Sequence, residues 1–220
     1  MSRRPRRKKR DPKLLLVLFG LAALIVLVLI FIASRPKTSS TTTYLGDIPV
    51  QGKTMGYPDA PVLVEDYSDF LCPHCREFAE GPEKKLIEEY VKPGKVRFVF
   101  RQFVLSERSL PAANATECAR EQNKFWEYHD YLYAHQLTDA PFPTAKLKAY
   151  AKDLGLNTQQ FNRCVDEGKY FDLVMKETSE GYQRGVRGTP TIFVDGKMIE
   201  YGMVWENLKA AIEKALQGGK

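Results

Sequence analysis

Cysteine is scarce in this chain. Four in 220 residues are too few for a small domain in which disulfides replace a hydrophobic core. No segment repeats, so the chain is not an array of stacked units. Past residue 37 there is no excess of positive charge: 23 Lys and Arg face 26 Asp and Glu, a net of −3. The overall charge of +6 belongs to a tail, and a nucleic-acid-binding reading is excluded. Apolar residues are plentiful. With 44% hydrophobic and 27% charged residues a packed core is expected, and the length suits one domain plus an appendage, or at most two small domains.

The appendage is basic and then apolar. Arg3, Arg4, Arg6, Arg7, Lys8, Lys9, Arg10 and Lys13 face the single acid Asp11. Residues 14–33 are then 20 consecutive uncharged residues, almost all Leu, Ile, Val, Phe or Ala. As a helix they span about 30 Å, the hydrocarbon thickness of a bilayer. A cleaved signal peptide is the competing reading, but its apolar stretch is typically only about 7–15 residues and ends in small residues. Here the run ends Phe31-Ile32-Ala33-Ser34. The expectation is an uncleaved transmembrane helix over 14–33. Lys and Arg stay on the cytoplasmic side, so 1–13 reads as a cytoplasmic tail of a single-pass protein of the cell membrane. Residues 34–46, rich in Thr and Ser, read as a linker. Residues 47–220 read as the extracytoplasmic folded domain, in a compartment that permits disulfides.

Within that domain, residues 62–67 have strand character, and a helical stretch opens at Cys72-Pro73-His74-Cys75. Gly81-Pro82 breaks it, with Pro82 suited to the first position of a second helical segment. Residues 96–104 read as a strand, and residues 107–185 as helical almost throughout. Asn157 with Gln160 is a capping-box-like start following the Gly155 stop. Asp195-Gly196 between residues 191–194 and 197–201 is a hairpin signal. Leu208, Ala211, Ile212, Ala215 and Leu216 trace one face of a last helix. The order predicts an α/β domain with a helical insertion.

Two cysteines separated by two residues at a helix start form a small ring that can open and close. The first lies beside free backbone N–H groups and the positive end of the helix dipole, both of which stabilise a thiolate. His74 inside the ring can add to that stabilisation, and Pro73 removes a donor and stiffens the turn. Half of a zinc site is the bland reading. It needs a second close ligand pair, and Cys118 and Cys164 with His129 and His135 make no such motif. A purely structural Cys72–Cys75 bridge is disfavoured because so short a loop constrains the unfolded chain little.

The strand, then Phe70-Leu71-Cys72-Pro73-His74-Cys75, then Gly188-Thr189-Pro190-Thr191 before the hairpin resemble thioredoxin-fold enzymes of the DsbA type, including the membrane-anchored BdbD-like ones. The resemblance implies a thioredoxin fold with an inserted helical domain and a thiol:disulfide oxidoreductase that forms disulfides in exported, reduced proteins. It implies that Pro190 is cis and faces the active disulfide, with Thr189 presenting its backbone to substrate. It also implies a membrane quinone-linked reoxidising partner, DsbB-like or VKOR-like. No organic cofactor is expected, because sulfur carries the electrons. A reductase or isomerase on the same fold is the nearest alternative, and a zinc-stabilised anchored binding module the alternative of a different class. Asp66, six residues before Cys72, stands where related folds carry a buried acid that moves the resolving cysteine's proton. Glu65, on the opposite side of the strand, competes for that part. With the active pair assigned and an even count outside the membrane, Cys118 and Cys164 read as a second, structural disulfide, with buried free thiols as the alternative.

Overall fold

The computed structural model describes Gly46 and residues 48–218. The tail and transmembrane helix expected over 1–33, and the linker up to residue 45, lie outside the described residues. Among the described residues no helix is long and apolar enough to cross a membrane.

Six strands form one sheet in the order β1-β2-β4-β3-β5-β6. They are β1 (Val50–Gln51), β2 (Thr54–Met55), β3 (Val62–Ser68), β4 (Val96–Gln102), β5 (Thr191–Val194) and β6 (Lys197–Met198). β3 is parallel to β4 and antiparallel to β5, so both of its edges are hydrogen-bonded. That central position explains its composition: every residue but Leu63 is buried. Alternation then sends Val62, Val64, Asp66 and Ser68 to one face and Leu63, Glu65 and Tyr67 to the other. The β5–β6 turn has positive φ at both Asp195 (46°) and Gly196 (75°), the geometry that Asp-Gly favours. Asp195 Oδ1 also accepts a hydrogen bond from the Leu63 N–H at 2.8 Å, which pins the hairpin to β3. β6 stops at Met198, short of the strand expected through residue 201, because the chain turns at Ile199 to Gly202.

The β1–β2 hairpin was not anticipated. Its strands are two residues each, too short for a periodic signal, and it is held by side chains distant in sequence. Lys53 Nζ lies between two carboxylates of the helical insertion, 2.9 Å from Glu117 and 2.5 Å from Glu177.

One layer of helices contains α1 (Pro73–Glu80) and α2 (Pro82–Leu86), separated at Gly81 as expected, the latter running into a wider π turn over Ile87–Val91. The insertion comprises a short 3₁₀ turn (Glu107–Ser109), α3 (Leu110–Arg120), α4 (Phe125–Asp139), α5 (Thr144–Asp153), α6 (Thr158–Asp166) and α7 (Phe171–Gln183), and α8 (Trp205–Gly218) closes the domain. The start of α6 is half a capping box: Asn157 Oδ1 accepts from the Gln160 N–H at 3.1 Å, while the Gln160 amide turns to Glu121. α7 crosses the sheet closely at Gly181, where a Cβ would lie 2.6 Å from the Phe103 ring. Phe125, Trp126, Tyr128 and Tyr133 of α4 are buried against the sheet and the other helices.

Cys118 on α3 and Cys164 on α6 are joined in a disulfide. Closing a loop of this length removes on the order of 3–4 kcal/mol of unfolded-state freedom. The double substitution Cys118→Ala/Cys164→Ala is expected to lower unfolding stability in urea by about that amount. The CPHC pair is remote from this bridge in sequence, so thiol exchange there is expected to persist in the variant that remains folded. An unchanged urea midpoint would show that the bridge contributes nothing.

Candidate active site

Cys72 is the residue that caps α1, with Pro73 at the first helical position. Cys72 is 8% exposed, whereas Cys75, one turn further in, is 1% exposed. Both are free thiols in this structure. The Thr189–Pro190 peptide bond is cis, and the loop it forms lies against the first cysteine: Cys72 Sγ donates to the Thr189 carbonyl at 3.2 Å. The Thr189 hydroxyl is buried and has no hydrogen-bond partner, which leaves it free to turn toward the sulfur. The fold thus joins two motifs 117 residues apart in sequence.

The two sulfurs are electrostatically unequal. The Cys75 thiol donates to Cys72, and with the Thr189 side chain and the N–H groups of Cys75 and His74 this outweighs burial and lowers the Cys72 thiol from 9.0 to about 5. Burial drives Cys75 the other way, well above its ordinary value, and the neighbouring charges of Cys72 and Asp66 add to the effect. Cys72 is therefore the sulfur that carries negative charge, and Cys75 the one that holds a proton.

His74 acts through its backbone more than its ring. The side chain is 65% exposed and its Nδ1 lies 3.1 Å from Glu77 Oε2. That hydrogen bond raises its pKa, with a smaller contribution from the Cys72 charge.

Asp66 and Glu65 point to opposite faces of β3, and their surroundings separate them. Burial pushes Asp66 up to about 7, against the hydrogen bond from Ser68 Oγ to its carboxyl oxygens at 2.7 Å. Burial raises Glu65 too, but Arg184 and Arg101 outweigh it and hold that carboxylate below its ordinary range. Arg184 grips Glu65 with two nitrogens, at 3.0 and 2.8 Å. Glu65 is thus a locked ion pair, whereas Asp66 titrates near neutrality beneath the cysteines.

Two residues that sequence reasoning passed over hold the loop in place. Asp69, 1% exposed, accepts from the Leu71 and Leu105 N–H groups, both at 2.7 Å, while its own N–H approaches Cys75 Sγ at 3.5 Å. Gln136 on α4 donates to the carbonyls of Phe70 at 2.8 Å and Cys72 at 3.0 Å. Asp69 preceding a helix start was a readable turn signal; nothing local marked Gln136, which reaches the loop from 64 residues away.

A protein-family model described as thioredoxin matches residues 50–214. The Na(+)/H(+) antiporter NhaA 3 of Salinispora tropica is 33% identical over 175 residues, covering 78% of this chain and 26% of that protein. The chain thus spans about a quarter of the length of the first curated relatives it matches. Disulfide bond formation protein D of Bacillus subtilis is 27% identical over 183 residues, covering 79% of this chain and 81% of the relative. The crystal structure of oxidised BdbD from the same organism superposes with a TM-score of 0.70 at 27% identity, covering 76% of this chain and 94% of that one. Wolbachia pipientis alpha-DsbA1 superposes with a TM-score of 0.66 at 25% identity, covering 81% of this chain and 98% of that one. With the cysteine pair at the tip of α1 and the cis-proline loop beside it, the family match shows that the chain belongs to the thioredoxin family, and within it the chain is similar to the DsbA-like proteins.

Proposed function

We propose that this protein is a membrane-anchored oxidase that forms disulfides in exported proteins through Cys72 and Cys75. The observation that carries this reading is the inequality of the two sulfurs, with Cys72 favoured as a thiolate next to the Thr189–Pro190 loop and Cys75 buried and protonated.

The exchange starts from the Cys72–Cys75 disulfide. A substrate thiolate attacks Cys72 Sγ, the ring S–S bond breaks, and its electron pair leaves on Cys75, which takes a proton from Asp66. A second substrate thiolate then attacks the substrate sulfur of the mixed disulfide. The substrate disulfide forms and Cys72 departs as a stabilised thiolate. Backbone groups of Thr189 bind the extended substrate segment as a strand would, which tolerates many sequences. Two electrons remain on the protein, and a quinone-linked membrane protein of the DsbB or VKOR kind removes them. The apolar run over residues 14–33 keeps the domain near that partner and near emerging chains, with the basic N-terminus in the cytoplasm. His74 and Pro73 set the geometry and charge of the ring.

Replacing Cys75 with alanine tests the reading. The variant is expected to lose turnover, because it has no ring disulfide for a substrate thiolate to open, and to retain mixed disulfides at Cys72 with partly oxidised exported proteins, because Cys75 is no longer there to displace the bound chain by re-closing the ring. The reduction potential of the wild-type pair decides direction. A value nearer the about −120 mV of the strongest oxidants supports an oxidase, and one near the about −270 mV of thioredoxin overturns it in favour of a reductase.

A further inference from the structure

Asp69 stands between β3 and α1 with each of its polar groups engaged. Its carboxyl accepts from two backbone N–H groups, Leu71 to Oδ1 and Leu105 to Oδ2, both at 2.7 Å. Its carbonyl accepts from the Cys72 N–H at 3.1 Å, with the Tyr133 hydroxyl further off at 3.5 Å. Its N–H points at Cys75 Sγ, 3.5 Å away. The peptide unit that carries this N–H is fixed at its other end too, because the Ser68 carbonyl accepts from the Phe103 N–H at 3.0 Å. In a trans peptide the C=O and N–H point in opposite directions. Holding the Ser68 oxygen against Phe103 therefore aims the Asp69 N–H at the sulfur.

Asp69 and Cys75 are both buried, so bulk water does not solvate charge that appears on this sulfur. A donor fixed in advance offsets that cost without reorganising at the moment of reaction. It is already in place in the state that ring opening produces, with Cys75 free. The residue type follows from the anchoring. Two backbone N–H groups converge on the side chain, and a carboxyl meets them with two acceptor oxygens. Asparagine has one oxygen and an NH2 group, which would face the second N–H donor to donor.

We propose that the Asp69 N–H is a catalytic donor in ring opening, binding the Cys75 sulfur as charge develops on it, and that the Asp69 carboxyl is the group that positions this N–H. This role deepens the oxidase reading above and rests on it. A substrate thiolate attacks Cys72 Sγ and a new S–S bond forms. The Cys72–Cys75 bond breaks and its electron pair goes to Cys75 Sγ, where the Asp69 N–H donates to it until the proton arrives from Asp66. The N–H keeps its own proton throughout, and the ring disulfide is the oxidant. The contact serves this step alone. When Cys72 leaves the mixed disulfide in the second step, charge appears on the other sulfur, beside Thr189.

The test separates the two steps in the full chain. Opening is followed as single-turnover reduction of the ring by a peptide with one thiol. Release is followed in the Cys75→Ala variant joined at Cys72 to a peptide with two cysteines, whose second thiol expels Cys72. Replacing Asp69 with its α-hydroxy acid puts an ester oxygen in place of the N–H and keeps the carboxyl. This is expected to slow opening about tenfold and to leave release within about twofold of its parent. The effect is smaller than the roughly hundredfold cost of losing an oxyanion-hole donor, because charge on sulfur is more diffuse and the contact longer. Asp69→Asn keeps the N–H but loses one of its two anchors, and is expected to slow opening about threefold with release unchanged. If that variant does not fold, the ester variant decides alone. Opening at the wild-type rate in the ester variant, or opening and release slowed alike, would overturn the catalytic donor while leaving the oxidase intact. Wild-type opening in Asp69→Asn would overturn the part given to the carboxyl. A wild type whose ring the peptide thiol does not open would instead remove the oxidase reading, and the donor's role with it.

Discussion

Between about pH 5 and about pH 9 the unfolding stability of the reduced protein is expected to grow, relative to the oxidised protein, by on the order of 5 kcal/mol. The effect comes from one sulfur. In the unfolded chain the Cys72 thiol titrates near 9.0, and in the fold at about 5, chiefly because the Cys75 thiol donates to it. A depressed acid stabilises the fold fully above its unfolded value and loses that contribution as pH falls through its folded value. In the oxidised protein the sulfur is bonded and cannot ionise, so it contributes no such slope. Closing the four-residue ring favours the oxidised form by on the order of 2 kcal/mol at every pH, which offsets the two curves without changing their divergence.

A pH of about 7 lies two units above the Cys72 value of about 5, equivalent to about 60 mV toward an oxidising potential. Urea denaturation of both redox forms across this range is the measurement. Parallel stability curves would remove the thermodynamic basis for electron flow from substrates to Cys72.

Asp66→Asn is expected to stabilise the protein by on the order of 4 kcal/mol above about pH 7 and to leave it unchanged below about pH 4. The sign is opposite to that at Cys72. Burial raises the Asp66 carboxyl from 3.8 to about 7. Its neutral form therefore suits the fold, and stability declines as pH rises through that value. Asparagine has nearly the same shape and cannot ionise, so it escapes the decline. The substitution also removes the acid next to Cys75, and disulfide release is expected to slow by at least about tenfold. A gain in stability of equal size at both ends of the pH range would mean that the carboxyl is not the buried, titrating group described above. An ionisable acid thus occupies a position where a neutral residue makes a sturdier protein.

The motif-bearing half of the site was readable because its parts are contiguous. Cys72, Pro73, His74 and Cys75 lie in one turn, Pro73 is a helix starter, and the thiolate preference of a helix tip is a local property. The Gly81-Pro82 break, the Asp195-Gly196 turn and the Asn157 cap are local in the same way. The β1–β2 hairpin and Gln136 were not readable. The hairpin is held by Lys53 between carboxylates of α3 and α7, and Gln136 by carbonyls of a loop that only folding brings to it. Both rest on contacts between residues dozens of positions apart, for which a single chain carries no periodic or compositional sign.

The amino-acid sequence by itself pointed to the paired thiols and to where helices and turns begin, since caps, prolines and neighbouring cysteines act over a few bonds or one turn. Only the tertiary structure decided what those atoms are worth. Glu65 and Asp66 are chemically close neighbours in the chain, yet one meets two arginines and stays charged while the other meets a hydroxyl and an apolar core and titrates near 7. The same holds for the sulfurs, whose unequal acidity comes from burial, from Thr189 and from one another. Desolvation and Coulomb interaction depend on distance through the folded body, and distance along the chain does not encode them.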